Sequence, residues 1–346
     1  MVHIPADVAE SHESKALAKQ GLKRIHRGKV RDSYEVPDHP EWMLVVATDR
    51  ISIFDFVLAA LVPQKGEALT ALTHFWFTEV LKGIPNHLVP STGNMKLNAV
   101  HDLAAKFPAI PLKRSLVVHK VDILKFELIF RHHIGGSVYD TYRETGKALD
   151  QETRELWDLG IAPGLPKWSA LPGPLFTPST KAETGHDYNI SADRFYAATG
   201  ETGRAHVELC RAAYAKAYNY ASQRGILILD SKFEAGSGCI ADEVLTPDSS
   251  RFVDRTDFER ALSEGKEPPF LDKESVRIWG REVKTPWGTG LKALDPKNEE
   301  HVAFVDTVAV PTAITERTAA LYVENVFRRL VGERLHGYQR LAMGIA

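Results

Sequence analysis

The 346-residue sequence has two cysteines, no long apolar run and almost no net charge. Cys210 and Cys239 are too few for a disulfide scaffold or an all-thiolate metal site. Each sits in an apolar stretch, so both read as buried free thiols suited to a reducing cytoplasm. No apolar segment approaches the roughly 20 residues of a membrane span, and Met1-Val-His-Ile-Pro-Ala-Asp7 is not a basic-then-apolar leader. The expectation is therefore neither secretion nor membrane insertion. A formal net charge of -2 gives no global reason to expect nucleic acid or acidic membrane as partner, and any anionic ligand should be small. Solenoid repeats and low-complexity tracts are absent, as are the G-x-G-x-x-G and P-loop nucleotide patterns.

What is present is an ordinary globular composition, 44% hydrophobic and 25% charged. The chain is longer than one hydrophobic core usually serves, which predicts two domains or one large domain with additions. Its organising stretch is 225–252. Ile226 to Leu229 reads as a core strand bounded by Gly225, and its continuation puts Asp230, Lys232 and Glu234 on one face by period-two geometry. Ala235-Gly-Ser-Gly238 permits a tight reversal, and Cys239 to Val244 returns as a second strand carrying Asp242. Such a hairpin brings Glu234 and Asp242 together. Two carboxylates with a nearby lysine suit a hard cation that itself holds polyphosphate; an ordinary hairpin with a solvated charged face has the same spacing. Thr246-Pro-Asp-Ser-Ser-Arg251 adds hydroxyls, a carboxylate and a guanidinium, which favours the Mg-nucleotide reading.

Elsewhere, residues 1–20 read as a loose arm or short helix. His26 to Val36 followed by Trp42 to Thr48 reads as an opening β-meander, with Gly28, Lys29 and Arg31 either a solvated basic strand face or a phosphate-covering hairpin. Asp49, Arg50, Ser52 and Asp55 lie among apolar residues and need partners, structural or ligand. Lys65 to Phe77 is an amphipathic helix with a structural His74. Leu116 to Asp122 and Glu127 to Arg131 are strands whose connection would edge an adenine pocket. Arg131 with Gly135-Gly136-Ser137 forms a plausible phosphate cradle, whereas His132-His133 lacks zinc-ligand spacing. Leu165 to Pro178 reads as an extended loop, and Lys181, Glu183 and Asp187 as loop surface or an active-site lid. Ser191 is an N-cap without a capping box. Residues 202–223 form a helix with Val207, Cys210, Tyr214, Ala217, Tyr218 and Ala221 on one stripe. Asp254 to Glu264 is a short helix, and a final helix spans about Thr315 to Leu335.

In this order, Gly28-Lys-Val-Arg-Asp32, Ala47-Thr-Asp-Arg-Ile-Ser52, Ile84-Pro-Asn-His87, Glu127 to Arg131 with Gly136-Ser137, Leu175-Phe-Thr-Pro-Ser-Thr-Lys-Ala-Glu183, Asp230-Ser-Lys-Phe-Glu234 and Asp242 to Arg251 together resemble one family. It is the phosphoribosylaminoimidazole-succinocarboxamide synthases, or SAICAR synthetases, of purine biosynthesis. The resemblance implies an α+β fold: a kinase-small-lobe-like antiparallel β domain (1–122), an ATP-grasp-like catalytic domain (123–280), the active site between them, and a C-terminal helical extension (281–346). It implies ligation of L-aspartate to carboxyaminoimidazole ribonucleotide with ATP and Mg²⁺. The γ-phosphoryl group would activate the carboxylate as an acyl phosphate, which the aspartate amine attacks. By the same resemblance Gly28, Lys29, Arg31, Lys120 and Lys181 would hold ATP, and Glu234 and Asp242 would bind Mg²⁺ beside it. Lys232 would sit beside the reacting carboxylate, with Glu127 and Asp248 orienting the aminoimidazole or its metal. Arg131, Ser137 and Arg251 would clamp the ribotide 5′-phosphate, and Asp272, Lys273 and Arg277 are further substrate-side candidates. Partners would be small molecules, with no nucleic acid and no membrane; oligomeric state is not legible. His132-His133-Ile-Gly135 and Phe126 depart from the family's usual residues. A kinase-like phosphotransferase, needing no aspartate, and an ATP-binding regulator without turnover are the competing readings.

Overall fold

The computed structural model describes residues 3–9, 12–181 and 187–345. Contacts divide the chain into two units, one of Met1–His74, His87–Lys120 and Asp272–Ala346, the other of Phe75–Asn86 and Val121–Leu271. The segment after Leu271 thus groups with the N-terminal residues. Helices and antiparallel sheets are mixed in both, so the α+β expectation is met.

The first unit opens with two short helices, α1 (Ala6–Ala9) and α2 (His12–Lys19). A meander follows: β1 (Arg24–Arg27), β2 (Arg31–Glu35) and β3 (Trp42–Ala47), joined on the far side by β6 (Ser115–His119). Alternation of Tyr34, Leu44, Val46 and Val117 toward the core, against Val100 and Leu103 of helix α4 (Val100–Lys106), is what holds this sheet. β4 (Arg50–Ile53) and β5 (Phe56–Leu61) form a separate hairpin. It leads into α3 (Lys65–Phe75), which continues as a wider π turn over Trp76–Val80. His74 is structural as expected: its Nδ1 meets the Tyr338 hydroxyl at 2.9 Å, and burial pushes its pKa down to about 4.

The second unit is built on a sheet ordered β10-β7-β12-β13, with β11 also on β7 and β14 also on β12. Its strands are β7 (Phe126–His133), a small pair β8 (Ala148–Leu149) and β9 (Leu156–Trp157) outside the main sheet, then β10 (Ala170–Phe176), β11 (Ser179–Thr180), β12 (Ile226–Gly236), β13 (Cys239–Ala241) and β14 (Ser250–Asp254). Helix α5 (Ser137–Thr145) follows β7, and the long α6 (Ala192–Ser222) packs on β12 through Val207, Cys210, Tyr214, Ala217 and Ala221. An aromatic layer of Phe130, Phe176, Phe195, Tyr214 and Phe233 fills the space behind the sheet. Period two then leaves Asp230, Lys232 and Glu234 on the face away from that layer. α7 (Arg255–Ser263) closes the unit, capped by Asp254, whose carboxylate accepts from the Asp257 N–H at 2.9 Å.

Back in the first unit, α8 (Glu274–Glu282), α9 (Glu299–Asp306), α10 (Thr312–Ala320), α11 (Arg328–Val331) and α12 (Leu335–Leu341) complete the chain. A second π turn, Leu321–Phe327, links α10 to α11, and left-handed Gly332 ends the run at Val331 rather than Leu335. None of the described helices is long and apolar enough to cross a membrane.

Two local expectations are corrected. The stretch read as a loop over 165–178 contains β10, which tolerates Pro172 and Pro174 because it lies at the sheet edge and its register against β7 jumps between Ala170 and Leu175. The returning hairpin strand stops at Ala241, because Asp242 (φ 57°) and Leu245 (φ 54°) leave the extended region. Ser191 caps the first segment of α6, accepting from the Arg194 N–H at 3.2 Å, and non-helical Gly200 (φ 60°) separates that segment from the helix read over 202–223, as expected.

Candidate active site

The hairpin of β12 and β13 has Ser237 and Gly238 as its two loop residues, both at positive φ (47° and 79°), as a type I′ turn requires. Its register sets Glu234 opposite Ala241, so Asp242 comes just past the end of the partner strand, at φ 57°. Mg²⁺ is commonly held by one or two carboxylates plus phosphate oxygens and water, not by an all-protein cage. The carboxylates of Glu234 and Asp242, hard oxygen donors on paired strand ends, fit that demand. Among the described residues no group of three or more His, Cys, Asp or Glu side chains gathers as a metal cage.

Two charged groups lie along β12. The first is a row across three strands, since Asp230 is register partner to Arg131 on β7 and to Arg251 on β14. Asp230 Oδ2 accepts from Arg131 Nη1 at 2.6 Å and also from Arg251 Nη1. Arg131 Nε donates to Thr177 Oγ1 at 2.9 Å. Burial pushes the Arg131 pKa down, Asp230 opposes this, and Arg251 adds to the lowering. The row faces Gly136, which has φ 66° at the start of α5. A Cβ added there would meet Arg251 Nη1 at 3.1 Å and Arg131 Nη1 at 3.3 Å. Two guanidiniums thus converge on a glycine at a helix N-terminus, a geometry that suits an anion. Ser137 is beside it, 3.1 Å from the Asn189 side-chain amide.

In the second group each lysine has a carboxylate partner. Lys232 Nζ donates to Glu127 Oε1 at 2.6 Å, Ser179 Oγ donates to the other Glu127 oxygen at 3.1 Å, and Lys181 pairs with Glu234. Burial opposes the Lys232 charge, but Glu127, with Glu234 and Asp187, outweighs it and raises the pKa above the ordinary lysine value. Lys232 is therefore a cation at neutral pH. Asp248 sits in the turn before β14, where its N–H donates to Thr246 Oγ1 at 3.3 Å.

The remaining site candidates belong to the first unit. Lys29 lies in the turn between β1 and β2, not on a strand face shared with Arg31, because Gly28 N–H donates to Arg31 O at 2.7 Å and closes the chain there. Buried Arg50 pins that turn through the carbonyls of Gly28 and Lys29, both at 3.1 Å, while Asp32 pairs with it at 2.5 Å. This gives Arg50 a structural task. Lys29 Nζ meets Asp55 at 2.5 Å, and Lys120 Nζ donates to Pro40 O at 2.6 Å. Asp272 is buried and accepts from the Glu274 N–H at 2.7 Å, Lys273 precedes α8, and Arg277 pairs with Glu274 at 3.3 Å. Glu183 lies outside the described residues.

The sequence reading put Asp230 on the charged face but gave it no role; its alternation with Lys232 was the available signal. Thr177, Ser179 and Asn189 were missed, since nothing in their local sequence marks a partner that distant. Both cysteines are free, but Cys239 is only half-buried where a buried thiol was expected, because it stands at the hairpin turn.

A family model described as SAICAR synthetase matches residues 24–294. The phosphoribosylaminoimidazole-succinocarboxamide synthase of Chromobacterium violaceum is 37% identical over 310 residues, 88% of this chain and 96% of that protein. The Actinobacillus succinogenes protein of the same name is 38% identical, covering 89% of this chain and 98% of its own. Among solved structures, SAICAR synthase from Saccharomyces cerevisiae complexed with SAICAR superposes with a TM-score of 0.69 at 33% identity, covering 90% of this chain and 96% of that one. With fold, charged face and these likenesses in agreement, the chain belongs to the SAICAR synthetase family, ATP-dependent ligases of purine biosynthesis.

Proposed function

We propose that this protein joins L-aspartate to the carboxylate of carboxyaminoimidazole ribonucleotide through an acyl phosphate, with the charged groups of β12 dividing the work. A carboxylate is a poor electrophile, so its oxygen first takes the γ-phosphoryl group of ATP and ADP leaves. The aspartate amine then attacks the acyl carbon, loses a proton, and phosphate departs with one original carboxylate oxygen. The observation that carries this reading is the separation, along one strand, of an arginine pair at a helix N-terminus from a lysine–carboxylate cluster.

In this reading Arg131, Ser137 and Arg251 grip the ribotide 5′-phosphate, since bidentate guanidinium matches phosphate oxygens. Lys232, cationic and close to Glu127, faces the reacting carboxylate; Glu127 and Asp248 orient the aminoimidazole. Gly28, Lys29, Arg31, Lys120 and Lys181 hold ATP, and Asp272, Lys273 and Arg277 serve the substrates. Glu234 and Asp242 would hold Mg²⁺, which when bound offsets the charge on the transferring phosphoryl group. ATP entry would require Lys181 to exchange Glu234 for phosphate oxygens. The reaction would run in the cytoplasm, without nucleic acid.

The test is ADP release from Mg-ATP with ribotide labelled by ¹⁸O in its carboxylate, with and without L-aspartate. Aspartate-dependent ADP and amide, with label appearing in inorganic phosphate, is the expected result. Aspartate-independent ADP with a stable phosphorylated acceptor would favour the kinase-like reading, and ATP binding without turnover the regulator.

A further inference from the structure

We infer that Trp168 is a positioning residue for the arginine clamp, acting through Arg251 and the Gly135–Gly136 turn; this rests on the clamp assignment above. Trp168 is a bulky residue held at φ 69°, a left-handed conformation that L side chains rarely adopt and that persists only where neighbours over-determine it. Several bonds do so here. Its N–H donates to Ile134 O at 2.7 Å, its carbonyl accepts from His133 Nδ1 at 2.9 Å, and its indole N–H donates to Glu267 Oε2 at 2.8 Å. Phe270 meets the ring at 5.2 Å in a T-shaped contact.

The ring so fixed is only 4% exposed and does two things. It fills the space above Gly135, where any Cβ would come within 2.0 Å of it, and so sets the turn that leads to Gly136 and α5. It also lies under the Arg251 guanidinium, whose carbon is 5.7 Å from the ring centroid. An aromatic face attracts a guanidinium and fixes its plane. Arg251 is thus aimed from one side by Asp230 and from below by Trp168, at the glycine on which Arg131 also converges.

Steady-state kinetics of Trp168→Leu, Trp168→Phe, Arg251→Ala and the Trp168→Leu/Arg251→Ala double variant test this. Trp168→Leu is expected to raise KM for the ribotide about 2- to 30-fold, the range of an aromatic–guanidinium contact, with kcat and the KM values for ATP and aspartate within about 2-fold. Trp168→Phe, which keeps a ring, recovers most of that loss. In the Arg251→Ala background Trp168→Leu adds a smaller loss, the part carried by the Gly135–Gly136 turn, a coupling that general core packing would not produce. If Trp168→Leu does not fold, Glu267→Ala removes the acceptor of the indole N–H without touching the ring and must raise ribotide KM in the same Arg251-dependent way. An unchanged ribotide KM in a folded Trp168→Leu, or an equal loss with and without Arg251, overturns the inference while the clamp stands. An unchanged ribotide KM in Arg251→Ala overturns the clamp and the inference together.

Discussion

The two charged groups of β12 sit on one face of one strand and solve opposite problems. At Asp230 two arginines converge on one carboxylate, and Arg251 makes the Arg131 charge costlier to hold. Two residues further, Lys232 has Glu127 and Lys181 has Glu234, each cation with its own anion. Two guanidiniums converging on one glycine are complementary to a permanent ligand anion such as a phosphate monoester. A cluster whose lysines are already paired with carboxylates draws no anion strongly until those partners are exchanged, which suits groups whose charge changes during a reaction. The difference teaches that strand period alone places charge, whereas the neighbouring strands decide whether it is matched.

The comparison is broken most severely at the carboxylates of the lysine–carboxylate end. Glu234→Ala and Asp242→Ala should each reduce turnover by about 10³-fold or more, from loss of charge stabilisation on the transferring group, with an unchanged circular-dichroism spectrum; near-normal rates in either would remove them from the metal site. Next, Asp230→Asn leaves the buried Arg131 guanidinium facing the half-buried one of Arg251 and should cost about 3 kcal/mol of stability, read from urea unfolding. Arg251→Ala should raise ribotide KM about 10- to 100-fold, as expected for losing a charged hydrogen bond, and leave kcat near the starting value. The smallest effect is on pH dependence. Burial, then the neighbouring His133 charge, pushes the His132 pKa down to about 4. The unfolded chain, with an ordinary histidine near 6.5, takes up this proton first as pH falls. Stability from neutral His132 is therefore present above about 6.5 and lost as pH drops toward about 4. His132→Phe should lessen the loss of thermal stability across that window, with His74 and His133, whose pKa values burial also lowers, keeping their share; Arg251→Ala should not lessen it.

Where local chemistry decides structure, it was legible. The Ser237-Gly238 hairpin, the helix from 202, the Ser191 cap and the charged face of β12 follow from spacing, positive-φ residues and cap preference. The resemblance put names to the charged residues, but the contacts that organise them are long-range: Arg131 and Asp230 are 99 residues apart in sequence, Lys232 and Glu127 are 105. No local pattern reports such pairings. Trp168 was invisible for a related reason, since a left-handed tryptophan defies backbone propensity and is held by Ile134, His133 and Glu267. β10 escaped because prolines argue against a strand unless its place at the sheet edge is known.

The most direct test of the division of labour is calorimetric titration of the carboxylated ribotide, without ATP, into Arg251→Ala and Glu234→Ala side by side. The account predicts that Glu234→Ala binds the ribotide with near-native affinity while Arg251→Ala loses at least about tenfold. Equal losses in both, or a loss confined to Glu234→Ala, would show that the two ends of β12 do not divide the work in this way.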